Sequence, residues 1–396
     1  MQSLAGRLEK GGALIFSGVA APAQPFLAAL FLEKFPQRPI IVVTENLKTQ
    51  ESIQQDLETW LQVAGCRLQV EPDAKKIFNL LFYPAWEVLP HEGKLPHADV
   101  ISDRLETLVA LSDNSKNKNS RLVVTSVMAL LQKTFAPDEL KSRLRKLERG
   151  DKITPLDLIE FLEEQGYEPE AQVSQKGEIA LRGGIVDVFP PTSPWPVRLE
   201  FFGDELESLR YFDPLTQISR EEILAITLPP AGELGILKKR SQESEVTSKN
   251  EIALATLLDY LPCETIFILF EPESLAFHAD AYEQQIPRND PFFISWPDFL
   301  VDLNRRGFTS IGLVEDAETG VTNPQSEIAN PQFESLEAFR PLAERAQEPQ
   351  IAEAQRHEFF QQLHRWLRQD YAVPVSYTHL DVYKRQISFL LVTSDS

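Results

Sequence analysis

The chain has 396 residues, so at about 150 residues per domain it should hold two or three domains. Apolar residues make up 43% of it and charged residues 25%, enough to bury real cores beneath an ordinary charged surface. Its 59 acids against 39 bases give a net charge of −20, which excludes a general nucleic-acid coat or a polybasic membrane binder, because phosphate binding runs on excess Lys and Arg.

From Ala13 to Val127 short β-rich runs alternate with helical stretches. Ala13–Phe16 reads as a strand, Phe26–Lys34 as a helix, Pro39–Thr44 as a strand and Leu47 to Val63 as a helix. The apolar run Ile77–Phe82 leads into Tyr83-Pro-Ala-Trp-Glu-Val-Leu-Pro90; Ser102–Leu111 has helical spacing, and Leu122–Thr125 closes the series as a strand. Apolar strands separated by helices predict a parallel sheet covered on both faces. Near Leu130 the pattern changes. Residues 136–166 read as two helices joined around Gly150 to Thr154, followed by strands at Glu178–Arg182, Ile185–Phe189, Val197–Phe202 and Glu205–Phe212, with Gly203-Asp204 as a hairpin turn. Helix–strand alternation resumes at Glu251, with strands at Thr265–Phe270 and Ser310–Val314.

The economical reading is an α/β fold, a doubly wound parallel-sheet domain interrupted by an inserted α+β domain with an antiparallel sheet, since insertion at a surface loop costs little. Residues 1–128 form the first half of the α/β domain, 129–213 the insertion and 214–330 the second half. The stretch 320–340 reads as a polar linker, and Ala352 to Arg368 as a helix with Phe359, Phe360, Leu363, Trp366 and Leu367 on one stripe, opening an incomplete third domain over 331–374. Residues 375–396, including Ser376-Tyr-Thr-His-Leu-Asp-Val-Tyr-Lys-Arg-Gln386, look like a translated adaptor sequence and are expected to be foreign.

Between the first strand and first helix stands Gly18-Val-Ala-Ala-Pro-Ala-Gln-Pro25, where a nucleotide-binding sheet carries its phosphate loop, G-x-x-x-x-G-K-[ST]. That loop needs backbone N–H groups around phosphates, a Lys on the β/γ-phosphates and a hydroxyl on Mg²⁺. Gly18 fits the first glycine, but Ala23, Gln24 and Pro25 replace the second glycine, the lysine and the Ser/Thr. Pro25 also removes an N–H. The segment reads as a degenerate nucleotide loop or as an ordinary Pro-containing turn opening a helix.

At this point the residues resemble a family. Thr256–Pro262 before the strand Thr265–Phe270 is similar to the stretch preceding the acidic nucleotide motif of the excision-repair helicase UvrB. There an Asp-Glu follows the strand; here Phe270-Glu271 occupies the register, so this acidic motif is degenerate too. Leu181-Arg-Gly-Gly-Ile-Val-Asp-Val-Phe-Pro190, Pro196–Glu205 and Ser208–Asp213 resemble the inserted domain of the same group. Two degraded motifs beside that domain look most like the UvrB-like module of the bacterial transcription-repair coupling factors, as do Tyr83–Glu92 and Ile101–Leu108. The resemblance implies a non-catalytic adaptor that recruits the damage-recognition ATPase UvrA in nucleotide excision repair, with no cofactor of its own. In the complete factor, RNA polymerase binding and ATP-driven translocation on double-stranded DNA belong to other domains. The resemblance places the UvrA contacts on Arg182, Arg198 and Phe202. Arg offers a rigid fork for carboxylates and Phe an apolar anchor, and Arg198 and Phe202, four apart on a strand, share a face. The alternatives are solvated sheet-face arginines with a core Phe202, and, for the whole chain, a nucleotide-binding UvrB-type helicase fragment.

The remaining candidates carry less. Six histidines (His91, His97, His278, His357, His364, His379) form no H-E-x-x-H motif and no cluster with cysteine, so no metal is expected. Glu315-Asp316 reads as a solvated strand end, and Lys141–Arg149 as a solvated basic helix face. Cys66 and Cys263 cannot make a disulfide scaffold and fit a reducing cytoplasm. No apolar run reaches about 18 residues, and Met1–Arg7 opens no cleavable signal, so a cytoplasmic, membrane-free protein is expected.

Overall fold

A computed structural model describes residues 12–67, 78–112, 120–239 and 254–315, together with 361, 362, 365 and 368. Strand and helix alternate from the start. β1 (Gly12–Ser17) passes through a 3-10 turn, Ala21–Ala23, into α1 (Gln24–Lys34), and β2 (Ile40–Thr44) precedes α2 (Leu47–Arg67). β3 (Phe78–Tyr83) precedes α3 (Ala98–Ser112), and β4 (Ser120–Ser126) runs directly into α4 (Val127–Leu131). The side chains dictate the strands: Ile-Ile-Val-Val-Thr of β2 is buried at every position, as a central strand covered on both faces must be. β5 (Thr134–Phe135) and α5 (Pro137–Arg143) still belong to this unit, because Leu130, Leu131, Phe135 and Leu140 lie in its core.

A second unit opens at β6 (Arg145–Glu148) and α6 (Pro155–Glu164). It continues through β7 (Glu168–Pro169), β8 (Glu178–Arg182), β9 (Ile185–Val188), β10 (Val197–Phe202), β11 (Glu205–Phe212), β12 (Ser219–Ile223) and β13 (Ala225–Leu228). Six of these strands form one sheet in the order β12-β11-β10-β9-β8-β7, antiparallel except for β7 with β8. β13 pairs with β6, Leu228 opposite Arg145. The Thr154 hydroxyl caps α6 by accepting from the Asp157 N–H, and the helix lays Leu158 and Leu162 against Val186, Val188, Val197 and Leu199 on the inner sheet face.

The expected boundary at 129 falls within α4, and that at 213 between β11 and β12. Residues 129–143 pack with the α/β core, while β12, expected in the second half of the α/β domain, is the edge strand of the inserted sheet, and β13, paired separately with β6, carries the core of that unit to Leu228. The two helices expected over 136–166 exist as α5 and α6, but β6 separates them. Lys141–Arg149 is thus no single helix face: Lys141 lies on α5 and Lys146 on β6. A charged, alternating tetrapeptide such as Arg-Lys-Leu-Glu has helical propensity in isolation, and pairing with β13 overrides it.

The chain then returns. β14 (Leu254–Ala255) pairs with β5, a 3-10 turn at Leu257–Tyr260 is boxed by Thr256 and Asp259, and β15 (Ile266–Phe270), α7 (Pro272–Glu283), α8 (Trp296–Arg305) and β16 (Thr309–Val314) follow. The main sheet is parallel throughout, in the order β1-β16-β15-β2-β4-β3. Ile41, Val43 and Phe267 fill the core on one face, and Ile40, Val42 and Ile268 on the other. The fold is α/β with an antiparallel insertion. No helix among the described residues is long and apolar enough to cross a membrane. The expected third unit over 331–374, apart from the four residues named above, and the tail 375–396 lie outside the described residues.

The two units meet at a buried ion pair. Arg104 of α3 and Glu233, just beyond β13, are both inaccessible to solvent, and Arg104 Nε and Nη2 donate to the two carboxylate oxygens at 2.7 and 3.0 Å. The guanidinium lies between the Tyr83 and Trp86 rings, 4.3 and 4.6 Å from their centroids, and Trp86 Nε1 donates to Glu233 at 2.9 Å. Beside it Lys176 of the insertion donates to the Ser102 hydroxyl at 2.9 Å, which in turn donates to the Pro191 carbonyl. Replacing Glu233 with Gln strands a buried cation and should lower the unfolding free energy by about 3–5 kcal/mol, read as a lower urea midpoint. On the same seam, burial pushes the Asp103 carboxyl up to about 6, opposed by Lys176. Its folded-state value lies above its unfolded one, so the folded chain keeps the proton longer and stability falls as pH rises from about 4 to about 6. Asp103→Asn should remove that slope and, with solvent screening of a half-exposed group, add up to about 1 kcal/mol at neutral pH in thermal melts.

Candidate protein-docking face on the inserted sheet

The alternation of β8 to β11 gives the inserted sheet two different faces. Ile179, Val186, Val188, Val197, Leu199 and Leu209 point into the core. The opposite face carries Arg182, Asp187, Arg198, Glu200, Phe202, Ser208 and Arg210. Cross-strand pairing aligns them: Arg198 stands opposite Asp187 on one side and Arg210 on the other, and Arg182 stands opposite Ile185. Arg182 and Ile185 flank a two-residue hairpin, Gly183-Gly184. Gly183 takes φ +63°, and a Cβ on Gly184 would meet the Phe201 carbonyl oxygen at 2.9 Å, so this turn requires glycine at both positions. A register shift on β11 beside Glu200/Phe201 leaves the alternation of β10 intact, and Arg198 and Phe202 share the outer face as the four-residue spacing predicts.

Asp187 organises this face. Its side chain is 1% exposed and accepts from both arginines: from Arg198 Nε at 2.7 Å and Nη2 at 2.8 Å, and from Arg182 Nη2 at 2.6 Å. The bidentate bond to Asp187 raises the Arg198 pKa above its ordinary value. Arg198 also stacks over Phe212, 4.5 Å from the ring centroid, and donates to Gln217 at 3.1 Å. Its side chain is only 16% exposed, whereas that of Arg182 is 48% exposed. Phe202 is 76% exposed, so it is not a core residue. Beyond Arg198, Arg210 pairs with Glu200, which also accepts from Ser208 at 2.8 Å. Sequence reasoning missed Asp187, although an acid between two valines in Ile-Val-Asp-Val is the signal that would find it: one charge on an apolar strand facing away from the core.

The other expected site lies at the carboxyl edge of the main sheet. Gly18 takes φ +77°, Ala23 ends the 3-10 turn, and Gln24 and Pro25 open α1 with Gln24 buried. Gln24 Nε2 donates to Glu271 at 2.7 Å and to the Val19 carbonyl at 3.3 Å. Glu271, at φ 50°, accepts from the Glu315 N–H at 2.9 Å through the same oxygen, and the Glu315 carboxylate accepts from the Ala21 N–H at 3.3 Å. Phe270 is buried in the core. Glu315 thus bonds back onto the loop after β1; Asp316 lies outside the described residues. Among the described residues no group of three His, Cys, Asp or Glu side chains is placed to hold a metal. Cys263 is exposed and unpaired with another sulfur, and the Cys66 side chain falls outside the described part.

The two arginines should separate in their effects on folding. Arg198→Ala leaves Asp187 buried with one remaining partner and should cost about 3 kcal/mol of stability. Arg182→Ala removes a half-exposed partner and should cost about 1 kcal/mol or less. Urea titrations of the two variants check the order.

Residues 146–234 match the family described as the UvrB interaction domain. The chain is also similar to several transcription-repair-coupling factors. That of Haemophilus influenzae is 32% identical over 245 residues, covering 52% of this chain and 21% of the relative. That of Escherichia coli is 37% identical over 148 residues, 37% of this chain and 12% of the relative. That of Bacillus subtilis is 29% identical over 251 residues, 63% of this chain and 20% of the relative. The chain spans about a fifth or less of the length of these relatives. The matched segment contains the whole inserted sheet and its arginine face, so the part of the chain that bears this face is the part similar to the UvrB interaction domain, within a chain similar to the transcription-repair-coupling factors.

Proposed function

We propose that this chain is a non-catalytic adaptor in transcription-coupled nucleotide excision repair, and that it recruits UvrA through the sheet face that Arg182, Arg198 and Phe202 build. The observation that carries this reading is the outer face of the inserted sheet. An exposed aromatic stands on the same face as a guanidinium that is fixed at one nitrogen yet half open to solvent. Aromatic and arginine anchors of this kind dominate protein interfaces. Beside Phe202 two guanidiniums, Arg182 and Arg198, share one buried carboxylate, so this part of the face keeps a positive surplus on a chain of net charge −20, which favours an acidic partner surface over a nucleic acid. RNA polymerase and double-stranded DNA, partners of a complete factor on this reading, are assigned to neither of these two units.

The rival reading, a nucleotide-binding UvrB-type helicase fragment, meets a physical obstacle at the strand edge. Degenerate at Ala23, Gln24 and Pro25, the loop lacks a lysine. The loop's Ala21 N–H is bonded to Glu315, and Gln24 is held by Glu271, so two carboxylates stand beside the position a triphosphate would need. No cofactor follows on this reading.

Isothermal titration with purified UvrA tests the proposal. Wild-type chain should bind, and Arg182→Ala and Phe202→Ala should each weaken binding by about 2 kcal/mol or more while melting normally. Absence of binding, or binding indifferent to both substitutions, rejects it. ATP with Mg²⁺ should give no heat and no turnover; micromolar affinity would favour the rival.

A further inference from the structure

The two arginines of the docking face differ in what their nitrogens are already doing. Arg198 spends Nε and Nη2 on Asp187, shares Nη2 with Gln217, and lies flat on Phe212. Arg182 gives Asp187 one nitrogen, Nη2, and keeps half its side chain in solvent. Asp187 is bonded at both oxygens and closed to water. Two guanidinium charges thus share one buried carboxylate, leaving a single net positive charge, and the solvent-facing part of it belongs to Arg182.

Resting on the docking reading above, we infer that Asp187 is the positioning residue of this interface: it holds Arg198 as an internal brace and aims the free edge of Arg182 at one carboxylate of the partner, seated beside Phe202. The physical ground is pre-organisation. A solvent-exposed arginine samples many rotamers, and ordering it on binding costs side-chain freedom. Here one end of the guanidinium is bonded before the partner arrives, and the unbonded Nε and Nη1 remain as donors in a fixed plane. Neutralising part of the pair internally also limits the desolvation that a partner must overcome when it covers the face. The specificity is for a single acidic side chain. A phosphate would compete with Asp187 for both forks, and a second carboxylate would find Arg198 already satisfied.

The test uses the full chain, purified UvrA and a double-mutant cycle. Asp187→Asn keeps the shape and removes the charge, and should weaken UvrA binding at least tenfold; in an Arg182→Ala background the same change should weaken it less than twofold, because the residue it acts through is gone. The Arg198 Nε–H resonance, expected apart from those of the exposed arginines because of its 2.7 Å bond to Asp187, should merge with them in Asp187→Asn while amide signals of the main sheet stay in place. If Asp187→Asn unfolds the insertion, Asp187→Asn/Arg198→Met removes the buried pair together; this variant should fold yet bind at least fivefold more weakly than Arg198→Met alone, in which Asp187 still tethers Arg182. Wild-type-like binding by either variant, or an equal loss with and without Arg182, overturns the inference while leaving the docking reading intact. Failure of the unaltered chain to bind UvrA removes both.

Discussion

The Arg104–Glu233 pair is the constraint on which the arrangement of the two units rests. It joins residues 129 apart in sequence, one on a helix of the α/β domain and the other where the insertion hands the chain back. Both side chains are closed to water, so neither can be left half paired, and the aromatic walls of Tyr83 and Trp86 admit the flat guanidinium in one orientation. A buried pair of this kind adds little net stability over a well-packed apolar replacement, but it penalises every arrangement that separates its members. Its contribution here is orientation: α3 and the exit of the insertion are held in one register, and Gln132, bonded to the Trp86 backbone and to Tyr282, extends that register to α7.

The docking face repeats the device on a smaller scale and nearer to water. Asp187 does for Arg182 and Arg198 what Glu233 does for Arg104, except that one of its partners remains partly solvated. The difference in exposure separates the two chemical purposes. A fully enclosed guanidinium can only brace, whereas one held at a single nitrogen can still meet another protein. The inner face of the same sheet needs nothing but apolar packing, so a strand such as Val-Arg-Leu-Glu-Phe-Phe serves core and surface by alternation alone.

The main sheet was largely legible in the chain. Ile40–Thr44, Leu122–Thr125 and Ile266–Phe270 are short apolar runs whose burial on both faces leaves no other reading, and the hairpin at Gly203-Asp204 is fixed by a glycine at φ +64°. Less could be read where local and long-range preferences differ. Arg145–Glu148 looks helical by composition and becomes a strand only because Ala225–Leu228 lies alongside it, a partner about 80 residues away that no local window contains. At the site, Arg198 and Phe202 could be placed on one face from spacing, but the division of labour between Arg182 and Arg198 could not, since it depends on which of them Asp187 encloses.

The pairing of Arg145 with Leu228 has one more consequence. The chain leaves the α/β host and comes back at neighbouring points of a two-stranded ladder, so to the host the entire inserted unit is topologically a short loop. What happens inside it, whether a hairpin lengthens or an outer side chain changes, need not alter the closure of the parent sheet. A recognition module mounted in this way can drift in partner preference while its carrier keeps a fixed frame, and it can be transplanted between carriers as one block.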